Sequence, residues 1–328
     1  MTALLQTLRG QPVATRVLER ALTDGHVHHA YLFDGPQGVG KELAAFGLAQ
    51  ALVCAEPVAH FACGTCSPCK RAVPRGEKRL PVHPDVVVLE RSLYEAAQIG
   101  RKSPETQDIS VDQVRTLVLA RAAFRAHEDR AKVFILRGAE ELSASAANAL
   151  LKTLEEPMRG TFFILLSAQA DALLATIRSR TQRVRFGALS DELLSELLAE
   201  RGIDPEARAL ALAAAKGSIE LALNALKQDA AGYELFVDGA IEAVLAPSFA
   251  AALSVGEEMK RLNRDDAIAT LLAVGRKFAA TAKEHANTQV GDLWARRFAL
   301  VEQAISALHG NGSPQLVGEA LFSRLRRT

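Results

Sequence analysis

The chain has 328 residues, a formal net charge of +1 and 49% hydrophobic residues. That length predicts two or three domains with at least one full core, and the near-neutral balance by itself points to no partner. No apolar run is long enough to span a bilayer, and Met1-Thr2-Ala3-Leu4-Leu5-Gln6 lacks the basic and long apolar regions of a signal peptide, so a cytoplasmic protein without membrane contact is expected.

The first strong signal is the short apolar strand 30–33 running into Gly35-Pro36-Gln37-Gly38-Val39-Gly40-Lys41. This reads as a phosphate-binding loop, in which glycine-rich backbone turns N–H groups onto phosphates, Lys neutralises them and a following Ser or Thr hydroxyl holds Mg²⁺. Gly35, Gly38, Gly40 and Lys41 are the candidate nucleotide-binding residues, but Glu42 stands where the hydroxyl belongs. A carboxylate can ligate Mg²⁺; beside an anionic triphosphate it argues against tight Mg·ATP binding.

All four cysteines follow in one segment, Cys54-x8-Cys63-x2-Cys66-x2-Cys69. Closely spaced thiols in a reducing compartment suit a structural, tetrahedral Zn²⁺ better than disulfides. His60 is a further imidazole in the same stretch, and nothing in the pattern suggests an open, catalytic coordination position. Lys70, Arg71, Arg75, Lys78 and Arg79 come next, a cluster read first as a solvated loop and second as a phosphate contact. Four prolines between 74 and 104 break any helix across 70–107 apart from one strand at 85–89, and 92–107 reads as a mobile loop.

The strand 132–136 should carry the second half of an ATPase site, an Asp for the metal and commonly a Glu for the water. It runs instead into Arg137-Gly138-Ala139-Glu140-Glu141. Two like unit charges about 4 Å apart repel by roughly 4 kcal/mol at an effective dielectric near 20, so Arg137 facing the site would oppose Mg²⁺. Glu140 or Glu141 supplies the acid only if the register is shifted.

Strands are also expected at 161–166 and 182–186, with helices starting near Glu42, Val111, Ser143 and Asp171. Short apolar strands separated by helices predict a parallel sheet covered on both faces, with ligands at the strands' carboxyl ends. Three short amphipathic helices follow at 190–200, 205–215 and 218–227. Ala- and Leu-rich helical patterns then run through 233–244, 249–262, 266–284, 291–308 and 314–326.

Gly10-Gln11, His29-Ala30-Tyr31-Leu32-Phe33, the four-cysteine insertion, His83-Pro84-Asp85, 109–115, Ala146-Ala147-Asn148-Ala149-Leu150-Leu151-Lys152-Thr153-Leu154-Glu155-Glu156-Pro157 and Ile177-Arg178-Ser179-Arg180-Thr181 together resemble the AAA+ clamp-loader family of bacterial DNA polymerase III. The resemblance implies an α/β P-loop (AAA+) domain with a parallel sheet and a zinc module over 1–187 (module 54–69), a small helical lid over 188–228 and an all-α collar over 229–328. Ser179-Arg180 resembles the motif whose arginine reaches ATP bound by a neighbouring subunit, with Thr181 in place of the family's Cys. Gly217-Ser218-Ile219-Glu220 resembles the lid motif, with Glu220 where a phosphate-sensing Arg is expected. Glu42, Arg137, Gly138 and Glu220 all depart towards a dead site. The implied function is therefore a non-hydrolysing subunit of the polymerase holoenzyme's clamp loader in DNA replication, lending Arg180 in trans. Its implied partners are the gamma/tau and delta subunits and, through the complex, the sliding clamp and primer-template DNA. Two rivals stand beside it: an active ATPase of the gamma/tau kind using Lys41 with Glu140-Glu141, and a zinc-dependent DNA-binding protein working through 54–79.

Overall fold

The computed structural model describes residues 3–94, 99, 108–227, 238–239, 241–242, 255, 259–260, 262, 264–310 and 312–326. The chain divides into two compact units, Met1–Ala225 and Leu226–Thr328.

In the first unit five strands, β1 (Ala30–Asp34), β2 (Val86–Leu89), β3 (Lys132–Leu136), β4 (Thr161–Ser167) and β5 (Gln182–Arg185), form one sheet in the order β2-β3-β4-β1-β5. Every pairing is parallel. β2 and β3 are buried along their whole length and β4 along nearly all of it, as expected of apolar strands covered on both faces. Phe134 and Phe163 stack across β3 and β4 with ring centroids 5.2 Å apart. Ile109, Val114, Leu150 and Leu154 pack against that face of the sheet. β4 separates β1 from β3, and because every pairing is parallel the carboxyl ends of β1 and β3 lie along the same edge of the sheet.

The helix Lys41–Val53 begins at left-handed Gly40 and is buried on almost every side. Its small residues permit this. A Cβ on Gly47 would come within 2.6 Å of Leu5 N, so the 3-10 turn Leu4–Thr7 crosses the helix at a position only glycine allows. Gln50 then ties three segments together, accepting from Leu4 N at 2.9 Å and donating to Cys69 O at 3.2 Å.

Two differences from the sequence reading stand out here. A helix, Pro12–Thr23, precedes β1, with Pro at its first turn. A second one, Ser67–Ala72, runs three residues into the stretch from 70 expected to be irregular, with Pro68 in its first turn, where proline is tolerated. The helix near Val111 starts with a Ser110–Gln113 capping box and runs as π-helix through Val114–Leu119. Asp191–Ala199, Pro205–Ala215 and Ile219–Lys227 follow β5.

The second unit contains Arg264–Glu284, Gln289–His309 and Pro314–Leu325, packed around Leu271, Val274, Phe278, Val301, Leu308 and Phe322. The helices expected at 233–244 and 249–262, like most of the 92–107 loop, lie outside the described residues apart from single positions. Among the described residues no helix is long and apolar enough to cross a membrane.

Candidate functional site: a rewired phosphate loop, a thiol cluster and a held arginine

The loop after β1 has the backbone its glycines predict, with φ of 70° at Gly38 and 106° at Gly40. Its lysine is turned inward: Lys41 Nζ donates to Gly35 O at 2.5 Å and Pro36 O at 2.6 Å. Burial pushes the Lys41 ammonium below its ordinary value, while Glu140, Asp34 and Glu220 push it back up. The segment 217–220 closes over the same loop. Ile219 N donates to Gly38 O at 3.2 Å and Gln37 Nε2 donates to Glu220 Oε1 at 3.1 Å. A Cβ on Gly38 would meet Ser218 Oγ at 2.3 Å and Glu220 N at 2.8 Å. The cation expected of a lid at this point is thus replaced by an anion held against the loop's own amide side chain.

At the carboxyl edge of the sheet, Glu42 of the helix after β1 and Arg137 after β3 meet. Arg137 Nη2 donates to Glu42 Oε1 at 2.6 Å, and its Nη1 donates to Glu90 Oε2 at 2.9 Å. Arg137 also donates to the carbonyls of Arg79 at 2.7 Å and Lys78 at 3.2 Å and lies 5.9 Å from the Phe46 ring centre. Arg79 adds a second cation 3.5 Å from Glu42. Arg137 therefore does face the phosphate-loop helix, and its charge is neutralised by the substituted residue there. Glu140 is the acid nearest in effect to Lys41, and its Oε1 accepts from Ala168 N at 2.9 Å, while Oε2 is buried without a hydrogen bond. Glu141 lies 3.7 Å from Arg91.

The four cysteine sulfurs all lie within 4.8 Å of one another, and the Cys54–Cys66 and Cys63–Cys69 pairs are 3.9 Å apart. A disulfide needs about 2.05 Å. Four thiolates around Zn²⁺ at about 2.3 Å put sulfurs about 3.8 Å apart, so the donor set fits a tetrahedral ion. Two backbone amides support it, Cys63 N on Cys54 Sγ and Cys66 N on Cys63 Sγ, both at 3.3 Å. Amide bonds from Cys66 and Thr65 lower the Cys63 thiol to about 6, while burial raises Cys54 and Cys69. His60 is not in the cluster. Beyond it, Arg71 forms a two-pronged pair with Glu128 at 2.6 and 2.8 Å, and Glu128 N and His127 N bind the buried Asp85 carboxylate. Four of the five clustered cations are thus used inside the chain: Arg71 and Arg79 pair with carboxylates, and Arg75 and Lys78 donate to the carbonyls of Lys70 at 3.2 Å and Leu93 at 3.4 Å.

Arg180 lies just before β5, after the short helix Ala175–Arg178. Its Nε donates to Glu155 Oε1 at 2.6 Å, its Nη2 pairs with the same oxygen, and its Nη1 donates to Thr176 O at 2.9 Å. Sequence reasoning singled out Arg180 and Arg137 but neither Glu155 nor Glu90. Glu155 at least lies in the 146–157 run. Nothing local marks Glu90 as a partner 47 residues away from Arg137.

A phosphate-loop turn at the end of a parallel strand, tied by an ion pair to the end of the next strand but one, defines a P-loop-type α/β module. The family model described as "DNA polymerase III, delta subunit" matches residues 10–190, more than half of the 328. The chain belongs to that family, and it is similar to proteins named DNA polymerase III subunit delta'. It is 41% identical over 152 residues to DNA polymerase III subunit delta' of Pseudomonas aeruginosa (46% of this chain, 41% of that one). With the delta' subunit of Bacillus subtilis it shares 32% over 204 residues (61% and 55%). With subunit gamma/tau of Mycobacterium bovis it shares 35% over 229 residues (68% and 36%). The matched stretches thus span between 36% and 55% of these three relatives' own lengths.

Proposed function

We propose that this subunit takes part in loading the sliding clamp onto primer-template DNA without hydrolysing ATP itself, assembled in the bacterial cytoplasm with gamma/tau and delta subunits. It lends Arg180 to the ATP held by an adjacent ATPase subunit, where an arginine supplied in trans contributes roughly 10³ to 10⁵ in rate in other phosphoryl-transfer systems. In this reading 188–228 acts as an AAA+ lid, 229–328 as a collar that joins the subunits, and Cys54, Cys63, Cys66 and Cys69 hold one structural Zn²⁺.

The observation that carries the reading is the Glu42–Arg137 pair. A guanidinium 2.6 Å from the residue that follows the loop lysine places fixed positive charge where a divalent ion is needed, and it is already compensated by two carboxylates. The experiment is a pull-down of this chain with gamma/tau and delta subunits, followed by ATP turnover of the chain alone. Co-purification with no turnover above background supports the reading; failure to assemble contradicts it. The active-ATPase reading keeps one observation in its favour, the position of Glu140 as the strongest anion acting on Lys41. Turnover by the chain alone that disappears in both Lys41→Ala and Glu140→Gln would establish that reading instead.

A further inference from the structure

The Arg180 guanidinium is held within its own chain. Nε and Nη2 grip Glu155, and Nη1 reaches Thr176 O at 2.9 Å and Ser179 Oγ at 3.2 Å. Four of its five N–H groups are therefore committed, and the edge given to Glu155 is the fork that binds carboxylate or phosphate in two-pronged fashion. Glu155 ends the helix Ala144–Glu155. A carboxylate in a last helical turn works against the helix dipole, so it serves the arginine rather than the helix. Both side chains remain partly open, with 32% of Arg180 and 45% of Glu155 exposed, and they border a groove lined by His28, His29, Leu154 and Thr181. An ion pair this exposed is weak in water, and a polyphosphate carries more charge and more acceptors than one carboxylate.

We propose that Glu155 parks Arg180 in the free subunit and yields it to the phosphate oxygens of the neighbouring subunit's nucleotide. This rests on the trans-acting reading of Arg180 given above. The exchange is carboxylate for phosphate on one guanidinium edge, so the arginine stays folded back until a nucleotide-bearing neighbour is docked. Glu155 is a positioning residue, and its removal makes the finger easier to engage.

Two measurements test this on Glu155→Gln, which keeps the volume and an acceptor oxygen but loses the charge. In the chain alone, phenylglyoxal modification of Arg180, mapped by mass spectrometry against exposed Arg20, is expected to be severalfold faster than in wild type. In the complex reconstituted with gamma/tau and delta, ATP hydrolysis before addition of clamp and DNA is expected to rise severalfold, with the fully stimulated rate unchanged. A purely structural Glu155 would give no such gain. Unchanged modification, or ATPase equal to or below wild type in a complex where Arg180→Ala lowers it, overturns the parking role. If Arg180→Ala itself hydrolyses at the wild-type rate, the trans-acting reading has failed and this proposal falls with it.

Discussion

Glu42 accepts a hydrogen bond from Arg137 at 2.6 Å across 95 residues of sequence, so two residues that would each spoil a metal site alone form one ion pair together. Only 14% of the Arg137 side chain and 28% of that of Glu42 are exposed, which makes loss of one partner costly. The same guanidinium holds the Lys78 and Arg79 carbonyls, so it also fastens the segment after the thiol cluster to the phosphate-loop helix.

Arg137→Ala is expected to destabilise the chain by roughly 2–4 kcal/mol, because a mostly buried carboxylate and two carbonyls lose their donor. Glu42→Ala added to it should cost much less than the sum of the two single changes. Urea unfolding of both single variants and the double variant measures the coupling; simple additivity would mean that the pair contributes nothing as a pair.

The thiol cluster predicts one Zn²⁺ per chain in protein purified without chelator, read by elemental analysis. Each of Cys54, Cys63, Cys66 and Cys69 changed to Ser should lower that stoichiometry. Because Gln50 and Arg71 join the module to the sheet unit, chelation should expose residues 54–80 to protease before the sheet core unfolds. Zinc-free protein with unchanged protease resistance would count against a metal centre.

Gly38→Ala should disturb the closure of 217–220 over the loop. The residue has φ of 70°, and the added Cβ would meet Ser218 Oγ at 2.3 Å and Glu220 N at 2.8 Å. Strain of this kind costs about 1–3 kcal/mol. Hydrogen exchange should accelerate at Ile219 and Leu221, whose amides bind Gly38 O and Ser218 Oγ; exchange as slow as in wild type would show that the contact is not what holds the segment.

His83 gives a pH signature. Its Nδ1 accepts from Asp85 N at 3.1 Å, which leaves the proton on Nε2, 3.3 Å from Glu128. Burial lowers its proton affinity below the ordinary value of 6.5, and Arg71 adds to this, while Glu128 and Asp85 oppose it. The unfolded chain therefore binds the extra proton first, and stability falls as pH drops through about 6.5 towards the lower folded value, then levels off. Glu128, held below its usual range chiefly by Arg71, contributes stability that is lost only at more acidic pH. The unfolding midpoint should decline from about pH 7.5 to about pH 5.5 in wild type and be flatter in His83→Asn; equal slopes would remove His83 as the cause.

The sheet was legible because apolar runs at 30–33, 85–89, 132–136 and 161–166 are dense enough to need burial on both faces, while 182–186 alternates polar with apolar residues as a strand with one buried face does, and each became a strand within a residue or two. The phosphate loop and the thiol cluster were legible because glycine conformation and cysteine spacing are local properties. The helix Pro12–Thr23 was not, since Gln11 makes no side-chain cap to mark its start. Neither were the partners. Arg137 with Glu42 and Glu90, Arg180 with Glu155, and Gln37 with Glu220 are joined across 25 to 183 residues, and only the fold brings them together. Sequence thus identified which residues were out of place in an ATPase, and the fold identified what they do instead.

The proposal that this subunit governs hydrolysis without performing it is tested most directly by comparing two variants in the complex reconstituted with gamma/tau, delta, clamp and primed DNA. Lys41→Ala should hydrolyse ATP and load clamps at close to the wild-type rate, since its ammonium donates to the carbonyls of Gly35 and Pro36 of its own loop. Arg180→Ala should assemble normally yet lower the stimulated ATPase by orders of magnitude at the affected site, with Arg180→Lys restoring only part, because lysine offers a point charge and not a planar fork. Wild-type hydrolysis in Arg180→Ala together with a loss in Lys41→Ala would contradict the account.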